Sequence, residues 1–329
     1  MNIRMITREK LSRVTRGVLG ASVALGVWAA VAAPSVEITK LSRENPDSGV
    51  VSCTYTVKDI PSFSKYDLLI KVGAKGCPTS AVITNVNVAN GTVTTNVNCK
   101  QLLGKNYLNV TVRASLLDGV QLWENGPYFA TCNVGASSPE ESGYYFWWGD
   151  TVGGKRNVAD NGWMSVADGS AIVFDDHDPT ASQTYNHDIT WLKSNGWIGE
   201  DGNLVPAHDA ATAHLGAPWR MPTKAELENL IDNCDWEWTD DWEGTGNAGC
   251  VFRGRGAYAS NSVFFPGAGS GFARYFLEDD VTYRTATTES SGSRHVWYLS
   301  YASGDEPYVT SDEMRCDGIP VRPVRDSGK

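Results

Sequence analysis

The chain has 329 residues, of which 41% are hydrophobic and 20% are charged, and its formal net charge is -10 at pH 7. This composition is typical of folded domains that bury substantial cores, and it excludes a largely disordered chain. The acidic balance, with no Lys/Arg cluster after the N-terminal segment, argues against nucleic acid and anionic membranes as partners.

The N-terminal segment, residues 1–33, has the pattern of a secretory signal peptide. Five basic residues and one acid lie within residues 1–16, and an apolar run from Gly17 to Ala33 ends in the small residues Val31-Ala32-Ala33. We expect cleavage near Ala33, with export to the periplasm, cell surface or medium and no membrane insertion afterwards. The alternative is an uncleaved anchor, for which the run is short. Cleavage would leave a formal charge of -14.

Residues 34–118 are rich in Val, Thr and Asn, in short alternating runs that are typical of β-strands. The predicted strands are Val50–Val57, Asp67–Val72, Ala81–Val88, Thr92–Val97 and Tyr107–Ala114. The dipeptide Asn90-Gly91 between two of them predicts a β-hairpin. This region is therefore expected to form an all-β immunoglobulin-like sandwich that acts as a spacer.

The composition changes near residue 118, because eleven of the twelve Trp residues lie beyond it. Short strands are predicted at Val120–Trp123, Phe129–Val134, Tyr144–Trp148, Ser262–Phe265, Val296–Tyr301 and Pro320–Val324. Thr223 and Glu226 predict a capping box at the start of a helix, and a shorter helix is predicted over His208–Leu215, ending at Gly216. Residues 119–329 are interpreted as a second domain.

Four stretches of this second domain resemble a known family. They are Gly119–Trp148, Asp209–Leu230 with its Trp-Arg-Met-Pro-Thr turn, Phe264–Gly269, and the terminal Val321-Arg322-Pro323-Val324-Arg325. The second stretch is similar to the formylglycine-generating, sulfatase-modifying superfamily. The order of all four resembles the Fibrobacter succinogenes major paralogous domain. The resemblance implies an α+β C-type-lectin-like domain over residues 119–329.

The resemblance also suggests a mode of function. Some members of that superfamily are targets of diversity-generating retroelements, which mutagenise Asn codons in the last segment of the domain and so vary a ligand-binding face. This chain has twenty Asn in residues 1–261 and none in residues 262–329, where Ser, Tyr, Asp, Thr and Arg abound. Relatives carry a Tyr-Trp-Ser-Ser-Thr strand where this chain has Tyr283-Arg284-Thr285-Ala286-Thr287. The departure predicts looser packing there or an outward-pointing Arg284.

Catalytic and metal motifs are weak in this chain. A formylglycine-generating enzyme needs a reactive cysteine pair, and the C-terminal region has only Cys316. The loop motifs of calcium-dependent lectins are missing, although Asp175-Asp176-His177-Asp178 offers oxygen ligands for a structural calcium. Seven cysteines in an exported chain favour disulfides, and Cys234 and Cys250 are one candidate pair.

The aromatic run Tyr144–Trp148 has two readings. In a strand its side chains alternate between the two faces, which either fill the core or expose a platform for sugars. The core reading is favoured, since the resemblance places this run in the framework of the domain.

We therefore predict an exported, non-enzymatic ligand-binding protein without a cofactor, whose partner is an unidentified protein or glycan. Tyr and Arg are common anchors at interfaces, and Ser and Gly supply adaptable neighbours. The alternatives are a carbohydrate-binding module and a formylglycine-generating enzyme. The predicted ligand-binding residues are Arg274, Tyr275, Phe276, Glu278, Asp280, Tyr283, Arg284, Arg294, His295, Tyr298, Tyr301, Asp305 and Tyr308.

Overall fold

The computed structural model describes residues 34–42, 49–60, 66–74, 81–98, 110–157, 159, 162–174, 184–272, 275–277, 280–290 and 294–327. Contacts between residues divide the chain into two units between Asp118 and Gly119, where the composition also changes. The predicted signal segment, residues 1–33, lies outside the described residues. In the part of the chain that the structure describes, no helix has the length and apolar character needed to span a membrane.

In the part of the first unit that the structure describes, the strands form two antiparallel three-stranded sheets. One sheet has the strand order β1-β2-β5 and the other has the order β4-β3-β6. The strands are β1 (Ser35–Ser42), β2 (Val50–Lys58), β3 (Tyr66–Ala74), β4 (Ala81–Val88), β5 (Gly91–Asn98) and β6 (Val110–Gln121), of which residues 110–118 belong to this unit. Alternate residues of β2, from Val51 to Val57, are buried in a core shared by strands of both sheets. This alternation is what a sheet with one buried face requires.

The predicted hairpin at Asn90-Gly91 is wrong, because the turn leads from one sheet to the other. Strand β4 pairs with β3, whereas β5 pairs with β2. The Asn90 side chain holds the turn by accepting a hydrogen bond from the Ile60 amide at 2.9 Å and donating one to the Ile60 carbonyl at 3.0 Å. A turn dipeptide reports a local reversal of the chain, while strand pairing depends on where each apolar face is buried.

The second unit is built from short antiparallel strands. The end of β6 pairs with β7 (Tyr128–Ala130), which pairs with β21 (Val324–Arg325). A five-stranded sheet with the order β11-β10-β9-β8-β20 comprises β8 (Tyr145–Phe146), β9 (Gly154–Asn157), β10 (Gly162–Ser165), β11 (Ala171–Ile172) and β20 (Ile319–Pro320). The remaining described strands form three antiparallel sheets. The first contains β12 (Cys234–Thr239), β13 (Gly249–Gly254) and β14 (Ser262–Pro266), and the second contains β15 (Ser270–Phe272) and β16 (Tyr275–Leu277). The third contains β17 (Val281–Thr288), β18 (Val296–Tyr301) and β19 (Tyr308–Thr310).

Among the residues of this unit that the structure describes are three short α-helices: α1 (Ile189–Ser194), α2 (Ala210–Leu215) and α3 (Lys224–Asn233). The predicted capping box is present, because Thr223 and Glu226 exchange side-chain to backbone hydrogen bonds at the start of α3. Helix α2 ends at Gly216, as predicted, with φ at +75°. Leu227 and Leu230 of α3 are buried and anchor the helix to the core.

The predicted α+β C-type-lectin-like class for residues 119–329 is wrong. Strands account for 47% and helices for 13% of the described residues, so the fold is all-β. The α-helices of the second unit have only six to ten residues. Its aromatic and Gly-rich stretches form two- to eight-residue strands joined by turns.

The aromatic run Tyr144–Trp148 alternates between two cores, as its pattern predicts. Phe146 and Trp148 are buried in one core, against which Tyr144 packs. Tyr145 is buried in the other with Trp163, and Trp147 packs against that cluster. Both faces of the run are therefore occupied by the protein itself, which leaves no exposed platform for a sugar.

The candidate disulfide between Cys234 and Cys250 does not form. On the neighbouring strands β12 and β13, Cys234 lies opposite Gly254 and Cys250 lies opposite Trp238. The two cysteines are thus offset by four positions, or about 13 Å at the rise of a β-strand, and a disulfide needs Cα atoms within about 7 Å. Both thiols are free and fully buried, and burial raises the pKa of Cys234 to about 12. They serve as small core residues.

Candidate functional site

The thirteen predicted ligand-binding residues divide by burial. Arg274 and Glu278 lie outside the described residues, and Tyr275 and Phe276 lie on β16. Four side chains belong to the interior of the second unit: Tyr283, Arg284, Tyr298 and Tyr301. His295 is half-buried, and the remaining four are exposed: Asp280, Arg294, Asp305 and Tyr308. A ligand-binding surface in this segment can therefore use only part of the predicted set.

Arg284 points inward, so the expectation of an outward-pointing side chain is wrong. Its guanidinium is fully buried and donates hydrogen bonds to the carbonyl oxygens of Met314, at 3.1 Å, and Asp317, at 2.5 Å. Burial lowers the pKa of Arg284, and the charge of Asp317 opposes that shift. The arginine thus pins the 314–317 turn to β17 and has no face for a ligand.

Tyr298 and Tyr301 on β18 are also framework residues. The Tyr298 hydroxyl donates a hydrogen bond of 2.6 Å to Asp312 Oδ1, and burial, followed by this contact, raises the pKa of Tyr298. The Tyr301 ring packs edge-on against Trp236 and Trp238, with centroid distances of 5.8 and 5.5 Å. The sequence did not predict this role, because the residue type of a tyrosine in a loop-rich segment does not show whether its side chain is buried or exposed.

Arg294 is exposed but lies on a defined neighbour. Its guanidinium carbon is 4.6 Å from the centre of the Tyr185 ring, and Nη1 donates a hydrogen bond of 3.2 Å to the Tyr185 hydroxyl. Tyr185 is buried and contacts Met314 Sδ at 3.6 Å. The C-terminal segment and residues 184–191 therefore meet at one patch of the surface.

Among the predicted tyrosines whose burial the structure describes, Tyr308 has the most exposed side chain. It is 51% exposed, and the large hydrophobic side chains of comparable exposure in the described part of the chain are Val93 and Val152. Tyr308 lies at the start of β19, on the turn that joins β18 to β19. An exposed aromatic ring on a turn is a common anchor for ligands.

A groove runs between this turn and helix α3, with a volume of about 450 Å³. It is lined by Ala225, Glu228, Asn229, Ile231, Asp232, Pro307 and Tyr308. The helix contributes four exposed residues, Ala225, Glu228, Asn229 and Asp232, and the partly buried Ile231, which packs against the core together with Leu227 and Leu230. The groove is thus a shallow depression, largely open to solvent, along one side of the helix.

The polar groups of the groove are acidic or neutral. Glu228 and Asp232 contribute carboxylates, Asn229 contributes an amide, and Tyr308 contributes a hydroxyl. Lys224, one turn before Glu228, approaches its carboxylate to 3.3 Å and also lies over the Trp297 ring at 3.7 Å. The nearby turn adds the exposed acids Asp305 and Glu306. The electrostatic potential at this groove is therefore negative.

A second group of acids lies under the 312–317 turn. Asp317 is buried and accepts a hydrogen bond of 2.6 Å from the Met314 amide. Burial and the adjacent Asp317 carboxylate raise the pKa of Glu313 to about 8, while Arg284 opposes the shift. Asp312 adds further negative charge. The raised pKa favours the protonated form of Glu313 at neutral pH, and this side chain lies beside the carboxyl group of Asp317.

This group predicts a pH dependence of stability. The pKa of Glu313 is about 8 in the folded protein, whereas the ordinary value is 4.5. Protonated Glu313 therefore contributes to the stability of the folded state below pH 4.5, and this contribution is lost as the pH rises from 4.5 to 8. In this window the free energy of unfolding should fall by at most about 1.4 kcal/mol per pH unit from this group. Urea denaturation of the wild type and Glu313→Gln from pH 4 to 9 measures the difference. Parallel profiles of the two proteins would refute the prediction.

No metal centre is formed by the described residues, in which no three His, Cys, Asp or Glu side chains cluster as ligands. The candidate calcium ligands Asp175-Asp176-His177-Asp178 lie outside that part of the chain. His208 stacks on Trp197 with a centroid distance of 3.6 Å, and burial lowers the pKa of His208. His214 packs against Tyr144 and Phe146, so the two histidines serve separate aromatic contacts.

Comparison of the chain with protein-family models, with curated proteins and with solved structures finds no match.

Proposed function

We propose that this chain is an exported ligand-binding protein whose binding surface includes the groove between helix α3 and the β18–β19 turn. The observation that carries the proposal is the placement of Tyr308. Three other tyrosines of the same segment are buried, whereas Tyr308 is half exposed beside a groove with unused polar groups. A rigid aromatic ring next to carboxylates and an amide is a composition suited to recognition. Export rests on the N-terminal signal pattern.

Replacing Tyr308 with alanine is expected to weaken ligand binding by tenfold or more, by roughly the effect of removing an interface anchor. Ligands would first be selected with the full chain from a random peptide library displayed on phage and from a glycan array. Their affinities for the wild type and Tyr308→Ala would then be compared. Val152→Ala is the matched control, because Val152 is 43% exposed elsewhere in the second unit. If every selected ligand binds Tyr308→Ala as tightly as the wild type, the proposed surface is wrong.

The proposal includes diversification of the exposed C-terminal residues by a retroelement. It is supported by the absence of Asn after residue 261 in a segment rich in Ser, Tyr, Asp, Thr and Arg. A near-copy of the coding segment for residues 270–317, differing at adenines and lying beside a reverse transcriptase gene, is the expected finding. The differences should fall in codons for Arg294, Asp305 and Tyr308 and spare the buried Tyr283 and Arg284. An invariant segment in sister strains would reject diversification.

A further inference from the structure

We infer that the groove between helix α3 and the β18–β19 turn binds a positively charged side chain, lysine or arginine, presented by a protein ligand. This inference rests on the proposed function and names the chemistry of the ligand. Its evidence comes from the hydrogen-bonding groups of the groove, from the charges on α3 and from the position of Tyr308.

The polar groups of the groove have unused capacity. In the described part of the chain, the side chains of Asn229, Asp232 and Tyr308 form no hydrogen bond with another protein group. The backbone carbonyl of Asp232 accepts a hydrogen bond of 2.7 Å from Arg255, but that arginine directs its Nε to Asp235. One unpaired carboxylate, an amide oxygen and a hydroxyl are therefore available in the groove, beside the Glu228 carboxylate that pairs with Lys224, and all of them accept hydrogen bonds.

The charges on α3 are placed against the ordinary preferences of a helix. Glu228 and Asp232 are four residues apart on the same face, where like charges repel. Asp232 also lies in the last turn of the helix, which has no basic residue and where the macrodipole disfavours a negative charge. Lys224 offsets Glu228 alone, at the other end of the helix. A cation bound between Glu228 and Asp232 would relieve both unfavourable terms.

Tyr308 supplies the remaining part of a cation site. Its exposed ring lines the same groove as the two carboxylates, and ammonium and guanidinium groups bind favourably over such rings. The apolar lining from Ala225, Ile231 and Pro307 suits the aliphatic stem of lysine or arginine. An acidic groove on a chain with a net charge of -10 also attracts basic ligands at long range.

The test uses the full chain and four labelled peptides of equal length, each with three Arg, Lys, Gln or Glu residues in a Gly-Ser background. Fluorescence anisotropy at low and physiological salt measures their affinity for the wild type, Tyr308→Ala and the double variant Glu228→Gln/Asp232→Asn. The control double variant is Glu124→Gln/Glu200→Gln, which removes the same charge from exposed positions elsewhere in the second unit. Circular dichroism and thermal unfolding verify that each variant is folded.

We expect the Arg and Lys peptides to bind, and the groove double variant and Tyr308→Ala to weaken that binding by about tenfold while the control retains it. The thermal midpoint of the groove double variant should stay close to that of the wild type, because loss of the Lys224–Glu228 ion pair offsets the relief of repulsion on α3. Equal weakening by the two double variants would mean attraction by net charge alone and would overturn the inference.

Two further outcomes separate this inference from the proposed function. If the cationic peptides do not bind but a glycan or a neutral peptide binds in a Tyr308-dependent way, the ligand class is wrong and the groove remains a binding site. If no ligand from the peptide library or the glycan array depends on Tyr308, the inference and the proposed function both fail.

Discussion

Replacing Arg322 with alanine is expected to lower the free energy of unfolding of the second unit by about 3–5 kcal/mol. The Arg322 side chain is fully buried and donates hydrogen bonds to the carbonyl oxygens of Ala130, at 3.1 Å, and Phe264, at 2.8 Å. Its guanidinium also lies 4.9 Å from the centre of the Phe265 ring. Alanine would remove both buried hydrogen bonds and leave a cavity, and each defect is costly.

The measurement is urea unfolding followed by tryptophan fluorescence. All tryptophans after the predicted signal segment lie in the second unit, so the signal reports on that unit. Arg253→Ala is the matched control, because Arg253 is exposed on β13 and its loss should change stability by less than about 0.5 kcal/mol. A loss below about 1 kcal/mol for Arg322→Ala would show that Arg322 does not stabilise the fold as described.

Replacing Trp148 with alanine should cost a similar amount, about 3–5 kcal/mol. Trp148 is 1% exposed, and its indole Nε1 donates a hydrogen bond of 3.2 Å to the Thr285 carbonyl. Its backbone is held from both sides, by the Arg315 carbonyl at 2.8 Å and the Thr184 hydroxyl at 2.9 Å. Trp148 therefore contacts β17 through its indole and two loops through its backbone, and a cavity in place of the indole would remove its contact with β17.

Two substitutions accompany Trp148→Ala. Trp148→Phe keeps most of the apolar volume and loses the indole hydrogen bond, so it should cost less than the alanine variant. Tyr308→Ala removes an aromatic ring from the surface and should change the unfolding free energy by less than about 0.5 kcal/mol. We expect the loss of unfolding free energy to be largest for Trp148→Ala, smaller for Trp148→Phe and smallest for Tyr308→Ala. An equal loss for Tyr308→Ala and Trp148→Ala would contradict the assignment of Trp148 to the core and Tyr308 to the surface.

Local patterns in the sequence predicted local structure well. Alternation in Ala81–Val88 and Val296–Tyr301 matches strands β4 and β18 residue for residue. The capping box at Thr223 formed because its partner Glu226 is only three residues away. Strand β12, Cys234–Thr239, escaped prediction, since its acids Asp235 and Glu237 obscure an alternation in which Trp236 and Trp238 face the core. Period and capping depend on neighbours along the chain, so the sequence contains them.

Local sequence patterns did not predict which charged and aromatic side chains are buried and which are exposed. Arg284, Arg315 and Arg322 are fully buried because carbonyl oxygens distant in sequence accept their hydrogen bonds. Tyr283 and Tyr308 have the same residue type in the same segment, yet one is buried and the other is half exposed. Composition predicted a Tyr- and Arg-rich surface, while the available acceptors and cavities decided which of these residues reach it.

By itself, the sequence determined the division near residue 118, the alternation of the aromatic run, the end of α2 and the start of α3. Only the tertiary structure decided that β4 and β5 enter different sheets, that Cys234 and Cys250 are offset by four positions, and that the second unit is all-β. The groove at Tyr308 was also decided by the tertiary structure, since α3 and the β18–β19 turn are about 75 residues apart in sequence. The physical reason is that strand register, sheet membership and burial are set by contacts between distant segments, whereas period and capping are set within one turn or strand.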